Sequence, residues 1–232
     1  MGKNNSKLIK AEDSLPQIKR QYYEKSKDEI KIVVNKLEKC IDLDSSRLNI
    51  LDIGFGPGHI VEELGKKHNV CGIDIDKDWI NFAKMQFHSN NNIQILNANA
   101  EFLPFRNECF DLIICNLVFS YFLNENQALF DINRILKVNG VLFLKLHGVG
   151  YYIYRLFTNE DMTLVYKTLS LFSGVINQFL NKKLLVSPDT YQVSDKFKIF
   201  FRENNIKILD FNYYDPWHGI NKFFIIVGKK MK

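Results

Sequence analysis

Three glycines at alternate positions, Gly54, Gly56 and Gly58, follow a short apolar run at Ile50, Leu51 and Ile53. Glycine has no Cβ, so it permits a sharp turn and lets a ligand approach the backbone closely. The helix-like segment after Gly58 turns free N–H groups and the positive end of its dipole toward such a ligand. A second apolar run, Val70, Cys71, Gly72 and Ile73, ends at Asp74. An acid about 20 residues beyond a glycine turn is placed to accept hydrogen bonds from a ribose diol. Glycine turn and acid together describe a pocket for a nucleoside-containing cofactor. Farther along, His147 directly follows the apolar run 141–146. A histidine at the carboxyl end of a strand is placed for general-base work, with an ordinary pKa near 6.5. The alternative for His147 is a hydrogen-bonded loop residue.

The glycine spacing narrows the cofactor. A dinucleotide fold needs G-x-G-x-x-G, but His59 and Ile60 stand where the third glycine would fall. No lysine followed by serine or threonine is present in the loop, which excludes a P-loop. In its first motif, Leu51-Asp52-Ile53-Gly54-Phe55-Gly56-Pro57-Gly58, the chain resembles the class I S-adenosylmethionine-dependent methyltransferases. The resemblance continues through Gly72-Ile73-Asp74-Ile75-Asp76, Ala100-Glu101-Phe102-Leu103-Pro104-Phe105, Phe110-Asp111-Leu112-Ile113 and Arg134-Ile135-Leu136-Lys137-Val138-Asn139-Gly140. Five blocks in order form a specific signal where one glycine motif would be weak.

The resemblance implies an α/β fold with a Rossmann-like, seven-stranded, mostly parallel sheet of order 3-2-1-4-5-7-6, flanked by helices. It implies S-adenosyl-L-methionine as cofactor and S-adenosyl-L-homocysteine as product. Asp52 then faces the pocket and holds the cofactor's amino group. Ile75 and Trp79, just past the ribose acid, line the adenine. Asn99 and Ala100 stand at its edge; Asn99 replaces the family's usual aspartate, and its amide oxygen accepts the same bond without charge. Tyr22, on a helix before the core, reaches toward the methionine end, or else packs outside the sheet. Asn116, at the carboxyl end of strand 4, faces the transferred methyl. The Asn/Asp-Pro-Pro-Tyr/Phe motif of enzymes that methylate base amines is absent there.

Periodicity supplies the positioning elements. A helix is expected over residues 22–41, with Ile30, Val33, Val34, Leu37 and Ile41 on one stripe, and Pro16 as a helix opener upstream. Strands are expected at residues 50–53, 70–74, 93–96, 110–115, 141–146, 207–211 and 223–227. Helices are expected at 59–67, after a cap at Asp76, at 124–137 and at 194–204. Residues 138–140 read as a turn with Asn139 left-handed, and 213–218 as a loop that is either a packed turn or a site where Asp215 and His218 serve as an acid–base pair. One domain results: a helical cap (1–45), a cofactor core (46–147), an inserted lid (148–190) and the rest of the core (191–232). The lid's apolar helices serve equally well as a homodimer interface.

The 232 residues are 46% hydrophobic and 25% charged, with net charge +5. That fits one globular domain and gives only a weak prior for nucleic acid. Cys40, Cys71, Cys109 and Cys115 show no C-x-x-C pairing, so buried thiols are expected and no metal site. No apolar run approaches the roughly 20 residues of a membrane span, and a cytoplasmic location is expected. The expected activity is methyl transfer to a small-molecule acceptor, on oxygen or nitrogen, with His147 as base. An RNA-modifying enzyme and a non-catalytic cofactor-binding protein are the alternatives.

Overall fold

A computed structural model of the protein describes residues 14–148, 151, 193–217 and 220–232. The strands run in the order β3-β2-β1-β4-β5-β7-β6, as the sequence implied. The chain divides into two compact units. One ends at Ile114 and also holds Asn124–Lys137; the other comprises Cys115–Leu123 and Val138–Lys232.

In the first unit, β1 (Asn49–Ile53) pairs in parallel with β2 (Asn69–Asp74), and β2 with β3 (Ile93–Asn97). Ile50, Leu51, Ile53, Val70 and Ile73 are buried, as expected of parallel strands covered on both faces. β4 (Phe110–Asn116) is likewise buried at Leu112, Ile113 and Ile114. β3 is the edge, and its more exposed pattern follows.

The expected single helix over 22–41 is instead α1 (Gln17–Lys25) and α2 (Glu29–Leu37), joined by a 3-10 turn at Ser26–Asp28. Pro16 opens α1, and the Tyr23 carbonyl accepts from the Ser26 hydroxyl at the break. Val33 and Leu37 of the stripe are buried. Helix α3 (His59–Leu64) is shorter than expected and ends at its C-cap Gly65, where a Cβ would meet Ile93 at 2.5 Å. Helix α4 (Lys77–Gln86) is capped by Asp76, whose carboxylate accepts from the Asp78 N–H. Helix α5 (Glu125–Ile135) is capped in the same way by Asn124 onto Gln127. Arg134 ties the loop before β4, donating to the carbonyls of Leu103 and Phe105 and pairing with Asp131 at 2.9 Å.

β5 (Leu136–His147) starts directly after α5, so the expected turn at 138–140 lies within the strand's range. Asn139 is left-handed there, with φ +68°. In the second unit β7 (Ile220–Lys230) pairs antiparallel with β5 from Val141 to His147 and with β6 (Ile206–Trp217) on its other side. The expected loop at 213–218 is therefore mostly strand. Pro216 falls on β6, the sheet's outer strand, the position in a sheet where proline is accepted. Helix α6 (Val193–Glu203) buries Phe197 and Phe201. A Cβ at Gly228 would meet the Phe201 ring at 3.1 Å, so that glycine admits the helix. The lid expected at 148–190 lies, apart from Gly148 and Tyr151, outside the described residues, as do His218 and the Asp215 side chain.

Candidate functional site

The turn after β1 is held by its own backbone. Gly54 and Phe55 donate N–H bonds to the Ile73 carbonyl at 2.8 and 3.2 Å. Gly54, Gly56 and Gly58 all have positive φ, at +66°, +49° and +79°. Their roles differ. A Cβ on Gly58 would meet the Phe87 ring at 3.0 Å, so that glycine serves packing. A Cβ on Gly56 would meet nothing closer than the Gly54 carbonyl at 3.9 Å. Gly56 thus has open space above its backbone.

Asp74 ends β2 and binds this turn. Its Oδ2 accepts from the Gly56 N–H at 3.0 Å and its Oδ1 from the Asp76 N–H at 2.9 Å. Each oxygen keeps a second lone pair. Burial raises the Asp74 pKa, and the backbone N–H groups of Asp76, Gly56 and Ile75 oppose that rise. Asp52 is 1% exposed, and its Oδ2 has no hydrogen-bond partner among the described residues. Burial, with Asp74 adding repulsion, holds its pKa well above the usual carboxylate range. A buried carboxyl oxygen with no partner is costly unless a cationic or donor group meets it. The cofactor's ammonium is such a group, and open space at Gly56 suits its amino-acid portion; on both counts the residues fit.

Around this centre, Ile75 is 70% exposed beside Asp74 and leaves apolar surface there. Trp79 is 7% exposed and packs edge-on against Phe82, with ring centres 6.1 Å apart. Tyr22 is 52% exposed and tilted against Trp79 at 6.3 Å. Asn99 uses Oδ1 to accept the Glu101 N–H at 2.9 Å, and Ala100 is buried. The Glu101 carboxylate in turn accepts from the Asn124 N–H, joining this loop to the start of α5.

The second unit holds Asn116 and His147 at the ends of β4 and β5. His147 Nδ1 lies 3.2 Å from the Ser120 hydroxyl. Its ring stacks at 4.1 Å on Tyr151 and lies 5.7 Å from Phe223, the residue opposite it on β7. Serine and aromatics therefore fix the ring's orientation. Next to Asn116, Leu117 has φ +58° and donates its N–H to the Lys145 carbonyl. A left-handed leucine costs on the order of 1–3 kcal/mol and tends to occur where a site needs a particular backbone path.

Sequence reasoning missed Ser120, Leu117 and, most of all, Lys19. The Lys19 ammonium reaches Asp76 at 2.5 Å and Asp78 at 2.8 Å. A lysine on an N-terminal helix carries no sequence signal for a partner 57 residues away. Among the described residues no group of three or more His, Cys, Asp or Glu could hold a metal, and no helix is long and apolar enough to cross a membrane.

The profile of the methyltransferase domain family matches residues 51–144. An uncharacterized protein of Methanocaldococcus jannaschii is 31% identical over 137 residues, covering 56% of this chain and 52% of that one. A ubiquinone/menaquinone biosynthesis C-methyltransferase of Wigglesworthia glossinidia brevipalpis is 29% identical over 102 residues, 41% of each chain. The chain thus spans about half the length, or less, of the curated relatives it matches. Among solved structures, a methyltransferase from Aquifex aeolicus superposes with a TM-score of 0.57 at 14% identity, over 91% of this chain and 98% of that one.

Proposed function

We propose that this chain is a class I S-adenosylmethionine-dependent methyltransferase and that it transfers a methyl group to oxygen or nitrogen of a small-molecule acceptor. The observation that carries the cofactor assignment is the join of Gly56 to Asp74 beside the buried, unmatched oxygen of Asp52. S-adenosylmethionine, when bound, supplies an electrophilic methyl on a sulfonium sulfur.

The chain's residues do the rest. Asp74 offers its remaining lone pairs to the ribose hydroxyls. Asp52 takes the amino group. Ile75 and Trp79 offer apolar surface to the adenine, and Asn99 with Ala100 its edge. Tyr22 and Asn116 complete the set of proposed cofactor contacts. His147, oriented by Ser120 and Tyr151, removes the proton from the acceptor as the new bond forms. Alignment and exclusion of water supply most of the acceleration; the base adds about 10²–10⁴-fold. The mild net charge favours a small acceptor over RNA. A carbon acceptor is the second reading, supported by the C-methyltransferase named among the relatives.

The test joins binding to turnover. Asp74→Ala should weaken S-adenosylhomocysteine binding at least tenfold, about 1.4 kcal/mol, in titration calorimetry; unchanged affinity removes the ribose assignment. His147→Ala should leave that affinity intact and slow transfer of labelled methyl by about 10²-fold or more. A fully active variant removes His147 as base.

A further inference from the structure

Helix α1 is fastened at two places, and both belong to elements that begin at the proposed cofactor loops. Near its start, Lys19 Nζ reaches both Asp76 oxygens at 2.5 Å and Asp78 Oδ2 at 2.8 Å, and lies 5.7 Å from the centre of the Trp79 ring. Near its end, the Tyr23 carbonyl accepts from His59 Nε2 at 2.8 Å. The Tyr23 ring packs 4.3 Å from His59 and edge-on to Phe82 at 5.2 Å. His59 follows Gly58, the last glycine of the turn, and opens α3. Asp76 caps α4 and donates its N–H to Asp74. One helix therefore grips the chain just past the glycine turn and just past the ribose acid.

We propose that Lys19 is a positioning residue that fastens α1 as a strap across the starts of α3 and α4, and that strap docking and cofactor binding strengthen each other. This rests on the cofactor reading given above.

The physical reason is the run of carboxylates. Asp74, Asp76 and Asp78 stand at alternate positions, and Lys19 is the cation that bridges two of them. Without it, their mutual repulsion loosens the Asp76 cap. The Asp76 N–H then no longer holds Asp74 Oδ1 in place. An ion pair this close to solvent contributes little to global stability. Its effect should therefore appear in cofactor binding rather than in the melting temperature. Because coupling is reciprocal, a bound cofactor must also hold the strap down.

The experiment measures both directions on the full chain with S-adenosylhomocysteine as probe. Chymotrypsin cleavage after Tyr23, which is buried while α1 is docked, reports strap release. In the wild type the probe should slow that cut. Lys19→Met should weaken probe affinity about fivefold, speed its dissociation, and abolish the protection. Lys19→Arg should restore both, which a purely packing role would not. Asp78→Asn, which keeps the α4 cap, should give a smaller loss in the same direction and serves if Lys19→Met folds poorly. Unchanged affinity in Lys19→Met, or protection that survives the substitution, overturns the strap while leaving the cofactor reading standing. A wild type that binds no probe at all overturns both.

Discussion

At the scale of single residues, the site turns on two carboxyls with different surroundings. Asp74 is held by two backbone N–H groups, whereas one oxygen of Asp52 has no partner among the described residues. The pKa of Asp52 is raised from 3.8 in the folded protein, by burial first and by Asp74 second. A carboxyl shifted that way binds its proton more tightly folded than unfolded. Its contribution to stability is full below 3.8 and is lost as pH rises toward the folded value. Asp52→Asn should therefore remove part of the fall in apo melting temperature above pH 3.8; Asp74, raised in the same direction, accounts for what remains. Calorimetry in two buffers of different ionisation enthalpy adds a second readout. A cationic ammonium meeting Asp52 expels its proton, so the wild type should release protons on binding and Asp52→Asn should not. Equal proton release in the two proteins would take the ammonium contact away from Asp52.

At the scale of elements, the glycines show how packing selects what a turn pattern only permits. All three turn glycines are left-handed, yet Gly56 is open above, while Gly58 makes room for Phe87. Gly72 belongs to β2, and a Cβ there would press on the Phe55 ring at 3.0 Å. Phe82 sits where α1 and α4 meet, fully buried between Tyr23 and Trp79. Phe82→Ala should cost about 3–5 kcal/mol in denaturant unfolding, the usual range for a buried phenylalanine. A loss under about 1 kcal/mol would mean that the α1–α4 seam is not part of the cooperative core.

At the scale of the whole molecule, binding and stability are linked by mass action. S-adenosylhomocysteine at a hundred times its dissociation constant adds about 2.7 kcal/mol to the folded state. For a chain of this size that is a rise on the order of 5–10 °C in melting temperature. No shift at that excess would contradict cofactor binding by the folded chain.

The sequence by itself determined the strand succession and the glycine turn after β1, because both are written locally. Buried parallel strands read as short apolar runs, as at Ile50 and Val70. Asp74 follows the glycine turn by one helix and one strand, the spacing that the local pattern predicts. The caps at Asp76 and Asn124 were legible for the same reason, since each bonds an N–H two or three residues away. Only the tertiary structure decided which side chains meet across distance. Ser120 reaches His147 and Lys19 reaches Asp76 because sheet order and helix docking bring remote positions together, and no local period encodes that. Pro216 makes the same point in reverse: it reads as a loop until the sheet order places it on the outer strand β6, where proline is accepted.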